Sequence, residues 1–391
     1  MWNPLVRRVA LVLVACLAVL SFAGGADAQT RPAPRPHIVH IVADDLGWAD
    51  VGYHGSPDVK TPNLDKLAAG GMRLEGFHVT PMCTPTRAAL MTGRYPFRYG
   101  LQSFVIPAAL EYGLPLDERT LPQALKAAGY RTALIGKWHL GHGERAMWPR
   151  QRGFDKFYGF LASENDYFER TVLGTLDWWR DNEPLREQGY TTTLLGDEAV
   201  RLIDAQDPDE PLYLYLAFNA PHTPYQAPRA YLERFAGIAD PTRRTYVAMI
   251  AALDDQIGRV VEALDRRRMR ENTLIVFDSD NGGLTDAKMA GETAAKPVAD
   301  NGPYREGKGT LYDGACRVAA LANWPGRIQA GGVSDALLHA VDLYPTFVGI
   351  AGGDSADAAK PLDGLDVWAT IADGKPSPRT EVVHNLEPPG G

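Results

Sequence analysis

The sequence predicts an α/β protein in which helices cover both faces of a mostly parallel sheet. Its 391 residues are 45% hydrophobic and 23% charged, a composition that is ordinary for a soluble globular protein with a substantial core. Short apolar runs typical of buried strands alternate along the chain with segments that carry helix signals. Each of these apolar runs ends in polar side chains, which is typical of a sheet with a ligand site at one edge.

Unbroken apolar runs predict the strands, whereas capping residues and amphipathic spacing predict the helices. Thr61 followed by Pro62 is a helix start, and Thr120 before Leu-Pro is another. Four strands are predicted at 37–43, 131–136, 212–218 and 273–277. Four helices are predicted at 62–69, 121–128, 194–205 and 243–268. Because strands and helices alternate, we expect the strands to pair in parallel.

Polar side chains follow all four predicted strands. They are Asp44, Asp45, Lys137, His139, Asn219, His222, Asp278, Asp280 and Asn281. Ligands of doubly wound sheets bind beyond the carboxyl ends of the strands, so we expect these side chains to meet at one edge. A single such cluster is commonly a solvated turn, but four coincidences favour a site. Its carboxylate and amide oxygens suit a hard cation such as calcium or magnesium.

Cys83 lies just before a predicted helix that follows Pro85. Helix N-termini attract negative charge through their unpaired N–H groups and the macrodipole. Arg87, four residues later, is placed to face the same anion. Three cysteines are too few for a disulfide scaffold. A disulfide between Cys83 and Cys316, or two small buried thiols, are the purely structural alternatives.

Residues 1–28 have the pattern of a secretory signal peptide. Two arginines precede an apolar run at 9–22, and a small-x-small cleavage site ends at Ala28. The run is short for a membrane span, which needs about 20 residues, and lipoprotein processing at Cys16 is the less favoured alternative. With 29–36 as a linker, we expect an exported protein, periplasmic or secreted, without stable membrane insertion. A net charge of −8 without a basic excess argues against nucleic-acid binding.

The segment around Cys83 resembles the signature of the type I sulfatases, within the alkaline phosphatase superfamily. It is CTPTRAALMTGR, and ADDLGW, GKWHLG, APH and SDNGG accompany it in the family's order. The likeness extends over nearly all the chain beyond the signal peptide and is closest to the arylsulfatase B group, the N-acetylgalactosamine-4-sulfatases. It implies an alkaline-phosphatase-like fold with a mixed, mostly parallel sheet sandwiched by helices.

The resemblance also implies a reaction and its cofactors. In this family a maturation enzyme oxidises the motif cysteine to Cα-formylglycine (3-oxoalanine), so Cys83 would be neither a thiol nor a disulfide partner. One hydroxyl of the hydrated aldehyde attacks sulfur, and the second expels sulfate by regenerating the aldehyde. One calcium ion would activate the hydroxyl and neutralise sulfate charge. The substrate would be a sulfated sugar or glycan, N-acetylgalactosamine 4-sulfate among them, or an aryl sulfate.

Individual roles follow from matching positions in the family's motifs. The implied calcium ligands are Asp44, Asp45, Asp280, Asn281 and an oxygen of the modified Cys83. The implied catalytic residues are Cys83, Arg87, His139 and His222, and the implied substrate-binding residues are Lys137, His222 and Lys308. Arg87 would hold the hydrate, His139 would accept the hydroxyl proton during sulfate release, and His222 would protonate the leaving alcohol.

The chain is expected to contain a catalytic domain at 37–350, followed by the start of a C-terminal region at 351–391. Sulfatases usually continue into a smaller C-terminal subdomain with a short antiparallel sheet. Because the sequence ends at Gly391, we expect most of that subdomain to be missing. Cys316 matches no family role and is expected to be a buried free thiol.

Two other functions are compatible with these residues. A phosphonate or phosphate monoester hydrolase of the same superfamily shares the Cys-x-Pro-x-Arg motif. An inactive or glycan-binding protein would result if Cys83 stayed unmodified.

Two residue assignments also stay open. Asp278 competes with Asp280 as the metal ligand, and 177–180 (DWWR) is either a sugar-stacking platform or a packed wedge. His40, inside the first strand, is expected to be a satisfied core histidine.

Overall fold

The predicted strand segments form the centre of a ten-stranded sheet in the computed structural model, which describes residues 35–285, 297–355 and 360–384. The strands are β1 His37–Ala43, β2 Met72–Leu74, β3 Phe77–His78, β4 Arg131–Lys137, β5 Lys156–Phe160, β6 Thr171–Val172, β7 Thr175–Leu176, β8 Trp179–Arg180, β9 Glu183–Pro184, β10 Leu212–Ala217, β11 Thr273–Ser279, β12 Leu321–Asn323, β13 Gly332–Ser334 and β14 Leu338–His339. The α-helices are α1 Pro62–Ala69, α2 Cys83–Thr92, α3 Leu121–Ala127, α4 Thr191–Ala205, α5 Arg229–Arg234, α6 Pro241–Arg266, α7 Asp313–Cys316, α8 Leu343–Ile350 and α9 Trp368–Asp373.

The large sheet is mixed and mostly parallel, as expected. Its strand order is β13-β2-β12-β11-β1-β10-β4-β5-β8-β9. The five central strands from β11 to β5 pair in parallel, whereas β12, β8 and β9 join it through antiparallel pairs. The carboxyl ends of β11, β1, β10 and β4 therefore lie side by side at one edge.

The four predicted strands and four predicted helices are all present, with ends that differ by no more than three residues. The helix after Cys83 was placed wrongly, because α2 begins at Cys83 itself and not after Pro85. Met82 is the extended N-cap, and Pro85 occupies the third helical position. A proline is tolerated there because the first N–H groups of a helix have no intrahelical acceptor.

Helices cover both faces of the sheet, and each face has its own apolar core. Along β1, Ile38 and Val42 belong to the first core, whereas Val39 and Ile41 belong to the second. This alternation follows from the two-residue period of a strand. Helices α2, α3 and α8 contribute to the first core, and α1, α4 and α6 contribute to the second. The predicted sandwich is confirmed.

The predicted signal peptide at 1–28 and most of the linker at 29–36 lie outside the described residues. Beyond 350, as far as the chain is described, the structure contains α9 and a segment that Arg379 ties to the core through its ion pair with Asp342. No helix in the described ranges has the length and apolar character that crossing a membrane would require. Cys83 and Cys316 are both buried free thiols, so the disulfide alternative is wrong.

Gly136, next to last in β4, lets two strands approach closely just before Lys137. It has a φ of 115°, and a Cβ at this position would lie 1.8 Å from the carbonyl oxygen of Ala217 on β10. That oxygen belongs to a buried strand and cannot move independently. Only glycine therefore allows β4 to deliver Lys137 to the sheet edge in this register.

We predict that Gly136→Ala lowers the free energy of unfolding by about 2–5 kcal/mol, because it combines a strained φ with a backbone clash. Urea denaturation followed by circular dichroism measures this change. Gly55→Ala is the matched control, since Gly55 has a φ of 86° but no heavy atom within 4 Å of its added Cβ. The control should lose only about 1 kcal/mol, and equal losses in both variants would contradict the clash.

Candidate active site

Side chains from four strand ends, the start of α2 and one loop converge at the carboxyl edge of the sheet. The structure brings together all the residues predicted for the site, which are Asp44, Asp45, Cys83, Arg87, Lys137, His139, His222, Asp280, Asn281 and Lys308. Parallel pairing explains the convergence, because it places the ends of successive strands at the same edge.

The thiol of Cys83 lies at the centre of this group. Its Sγ is 3.4 Å from Asp44 Oδ1, 3.9 Å from Asp45 Oδ1 and 3.2 Å from Lys308 Nζ. Cys83 is fully buried. Burial and the neighbouring carboxylate of Asp280 raise the pKa of the thiol well above its ordinary value. The unmodified side chain is therefore a neutral thiol and a poor nucleophile.

Two buried cations hold the carboxylates of Asp44 and Asp280 together. Lys137 Nζ lies 2.5 Å from Asp44 Oδ2. The guanidinium of Arg87 donates to Asp280 Oδ2 from Nε at 2.9 Å, and its Nη2 lies 3.6 Å from Asp44 Oδ2. Burial by itself would raise the pKa of Asp44, but Lys137 and the other nearby cations hold that pKa well below its usual range. Asp44 therefore stays ionised inside the protein.

Asp280 differs from Asp44 in its electrostatic environment. Burial and the negative charge of Asp44 raise the pKa of Asp280 to about 6, even though Arg87 opposes the shift. The carboxylates of Asp44 and Asp280, which share the guanidinium of Arg87, repel each other when both are ionised. A divalent cation bound between them would relieve this repulsion.

Asp45 is the most highly connected carboxylate of the site. It accepts hydrogen bonds from Lys308 Nζ at 2.6 Å and from Asn281 Nδ2 at 2.7 Å, and His222 Nε2 lies 3.6 Å away. Its backbone adopts a left-handed conformation with a φ of 65°. The hydroxyl of Tyr246 donates to the carbonyl of Asp45 at 3.1 Å and stabilises this turn.

The two histidines of the site have defined donor and acceptor roles. His222 donates from Nδ1 to the carbonyl of Thr223 at 2.7 Å, which leaves Nε2 facing Asp45. His139 donates from Nε2 to the carbonyl of Ile106 at 3.3 Å, and no described residue bonds its Nδ1. Burial, and then the charge of Lys137, lowers the pKa of His139 well below its ordinary value. His139 is therefore a neutral imidazole with an available lone pair.

The residues present fit a hard cation. Asp44, Asp45, Cys83 and His222 can each place one ligand atom so that all four atoms lie within 4.8 Å of one another. The Oδ1 atom of Asn281 is buried and, among the described residues, has no hydrogen-bond donor. An orphaned carboxamide oxygen beside three carboxylates matches the oxygen ligands that calcium prefers.

The structure also decides the assignments that the sequence left open. Asp278 points away from the site and bonds His40 Nε2 at 2.7 Å, so Asp280 is the carboxylate that faces Cys83 and Arg87. His40 is a buried core histidine, as expected, but only its Nε2 is paired, since Nδ1 has no hydrogen-bond partner among the described residues. The DWWR segment is a packed wedge and not an open platform, because Trp178 is fully buried and Asp177 accepts backbone N–H groups of 161–162.

Three supporting residues carry no signal in the sequence. Tyr167 is fully buried, and its hydroxyl lies 2.6 Å from the Asn219 carbonyl and 2.9 Å from the His222 carbonyl. Thr84 lies 3.3 Å from the carbonyl of His139, and Tyr246 holds Asp45. Each donates a hydrogen bond to the backbone carbonyl of a residue that is distant in sequence, so no local motif could have identified its role.

Comparisons with known proteins identify the family of this chain. Residues 36–353 match the sulfatase family. The chain belongs to the sulfatase family. Mouse (Mus musculus) arylsulfatase J is 40% identical over 370 residues, which are 93% of this chain and 60% of the relative. Pig (Sus scrofa) N-acetylgalactosamine-6-sulfatase is 34% identical over 92% of this chain and 70% of its own length.

Solved structures share the fold of this chain. The crystal structure of Ps i-CgsB in complex with k-i-k-neocarrahexaose has 36% sequence identity and a TM-score of 0.79, over 88% of this chain and 77% of that one. The phosphonate monoester hydrolase of Agrobacterium radiobacter shares the fold, with a TM-score of 0.61, 21% identity and 88% and 78% coverage. The chain spans about 60% of the length of arylsulfatase J, and the likeness to arylsulfatase B stays a prediction.

We predict that Arg87→Met lowers the free energy of unfolding of the calcium-free protein by about 3–5 kcal/mol, because Asp44 and Asp280 lose a buried counter-charge. Chemical denaturation in a chelator measures the loss. Arg98→Met is the control, since Arg98 pairs with Asp363 but is 41% exposed, and such pairs contribute about 0–1 kcal/mol. A small loss for Arg87→Met would show that the carboxylates do not need this cation.

Proposed function

We propose that this protein is a sulfatase that hydrolyses sulfate esters of carbohydrates and aryl alcohols, using formylglycine made from Cys83 and one calcium ion. The observation that carries the proposal is the position of Cys83, at the first residue of α2 between Lys308 and a cluster of carboxylates. Membership of the sulfatase family supports the same reaction.

The low reactivity of the unmodified Cys83 thiol supports its conversion to formylglycine. Its raised pKa makes it unreactive at neutral pH, although it lies at the focus of the charged groups. Formylglycine, produced by a separate maturation enzyme, would supply a hydrated aldehyde as the nucleophile. Arg87 lies one helical turn further along α2, where its bond to Asp280 fixes the guanidinium, and it would hold the hydrate at position 83.

Calcium would be held by Asp44, Asp45, Asp280, Asn281 and position 83, where it would supply Lewis-acid chemistry and neutralise negative charge. The ammonium groups of Lys137 and Lys308 already face the same space and would grip the sulfate oxygens. Fixed positive charges in a dry site stabilise a developing anion more strongly than water does, because they need no reorganisation.

Proton transfer would fall to the two histidines. The unpaired Nδ1 of His139 would accept a hydroxyl proton during sulfate release. His222 would protonate the leaving alcohol from Nε2 in its imidazolium form, because Nδ1 already donates to Thr223, and the carboxylate of Asp45 beside Nε2 would stabilise that positive charge. A correctly placed acid or base contributes about 10²–10⁴-fold to the rate.

The names of the relatives support a broad substrate class. The names of these relatives include arylsulfatases and an N-acetylgalactosamine-6-sulfatase, and the Ps i-CgsB structure contains an oligosaccharide. A sulfated glycan is therefore the favoured natural substrate, with N-acetylgalactosamine 4-sulfate as the specific candidate. The signal-like pattern of 1–28 favours a protein exported to the periplasm or the medium.

A phosphonate or phosphate monoester hydrolase is the second candidate, because the shared Cys-x-Pro-x-Arg motif would bind either tetrahedral anion. We predict faster turnover of an aryl sulfate than of the matching aryl phosphonate, compared as kcat/KM. Faster hydrolysis of the phosphonate would contradict the sulfatase proposal.

We predict that Cys83→Ala abolishes turnover because it removes the nucleophile precursor. The melting temperature and the calcium response should be largely kept, because the four other proposed calcium ligands remain. Cys316→Ala, at the other buried thiol, should stay active. Mass spectrometry of the peptide carrying Cys83, in protein from its native host, should detect the aldehyde. An intact thiol in active enzyme would rule out the mechanism, and an intact thiol in inactive protein would favour the glycan-binding alternative.

We predict that calcium raises the stability of the wild-type protein by about 2.7 kcal/mol at a hundredfold excess over its Kd. Asp280→Asn should lose this gain because it removes a charged ligand. Asp278→Asn is a closely matched control, since Asp278 is equally buried and lies only two residues earlier, within β11, but pairs with His40. Thermal unfolding with and without calcium measures both, and loss of the response in the Asp278 variant instead would reverse the assignment.

A further inference from the structure

We propose that Asn219 is a further substrate-binding residue, whose carboxamide donates hydrogen bonds to the oxygens of the bound sulfate group. This inference rests on the proposed sulfatase function. Asn219 lies two residues after the end of β10 and is 2% exposed. Neither its Nδ2 nor its Oδ1 has a hydrogen-bond partner among the described residues.

A buried carboxamide with no partner requires an explanation, because it offers two donors and two lone pairs that water would otherwise satisfy. The backbone of Asn219, by contrast, is well bonded. Its carbonyl accepts the hydroxyl of Tyr167 at 2.6 Å and the N–H of His222 at 2.8 Å. The backbone bonds therefore hold this turn, and the side chain remains free to bind a ligand.

The alternation of β10 places the side chain on the catalytic face of the sheet. Tyr215 and Ala217 belong to the first core, and Phe218 belongs to the second. Asn219 is next in this alternation and therefore lies on the side of the first core. The same rule applied to β1 places Asp44 on that side, because Val42 belongs to the first core.

The contacts of Arg87 locate the carboxamide within the site. The guanidinium reaches Asp280 after β11, Asp44 after β1 and the carbonyl of Lys137 at the end of β4. In the sheet order, β10 lies between β1 and β4. A group that spans these strand ends must pass over the end of β10, where Asn219 is the next residue on the same face.

The chemistry of this position favours an anion as the ligand. From the strand order and the alternation along β10, we infer that the Asn219 amide lies beside Arg87 and Lys137, both of which are fully buried. Sulfate oxygens only accept hydrogen bonds, so an NH₂ group among cations complements them. A sugar hydroxyl would be recognised nearer the opening, whereas the depth of Asn219 matches the group undergoing transfer.

The test compares wild-type protein, calcium-loaded and converted at Cys83, with its Asn219→Leu variant. Removing one donor to a developing oxyanion costs about 10²–10³-fold in rate, so kcat/KM for an aryl sulfate should fall by that factor. The Kd of inorganic sulfate, obtained from the shift in melting temperature, should rise at least about tenfold. The ligand-free variant should melt at a higher temperature than wild type, because an unpaired polar group has been replaced by an apolar one.

Asn323→Leu is the matched control, because Asn323 is also buried but its Nδ2 donates to the carbonyl of Leu67 at 2.7 Å. This control should melt at a lower temperature and keep wild-type sulfate affinity. If Asn219→Leu behaved like the control, Asn219 would have a structural role and the inference would be overturned. Loss of calcium affinity in Asn219→Leu, measured by calorimetry, would also overturn it by making Asn219 a metal ligand.

The sulfate-binding measurement separates this inference from the sulfatase proposal, because it does not require turnover. If wild type fails to hydrolyse aryl sulfate but binds sulfate through Asn219, the inference stands and the sulfatase proposal fails. If wild type is active and Asn219→Leu matches it in kcat/KM and sulfate affinity, the inference alone fails. If wild type shows neither turnover nor a sulfate-dependent shift, both are overturned.

Discussion

The mutual neutralisation of buried charges at the sheet edge is the interaction on which the rest of this structure depends. Asp44, Asp45 and Asp280 lie in a space from which water is largely excluded, where unpaired carboxylates would be very unfavourable. Arg87, Lys137 and Lys308 each bond one of them. The fold must therefore bring the ends of three strands, one helix and one loop to the same point.

Parallel strand pairing makes this arrangement possible. Because β11, β1, β10 and β4 run in the same direction, each strand leaves the sheet at the same edge, and its following residues can face a common ligand. The start of α2 lies against that edge and adds its unpaired N–H groups next to Cys83. Positive potential thus comes from both the side chains and the backbone, within a protein whose net charge is −8.

Much of the fold could be predicted because its signals are local. The apolar run of β1 and the Thr-Pro start of α1 each depend on neighbouring residues, and both were predicted with correct bounds. The start of α2 was missed because Pro85 suggests a boundary, whereas the extended backbone at Met82 sets it. That backbone conformation depends on the packing of the preceding loop, which no local pattern records.

The sequence by itself determined the types of chemical group at the site and the strand ends that carry them. Only the tertiary structure decided which of two equivalent candidates faces the site, as with Asp278 and Asp280, since strand alternation puts both on one face. It also showed that the carboxamide of Asn219 has no hydrogen-bond partner in the described part of the chain and that the ring of Trp178 is buried. The physical reason is distance along the chain, because bonds such as Arg87 to Asp280 and Lys308 to Asp45 join residues far apart in sequence. Local patterns specify which groups are present, and packing specifies which partners they have.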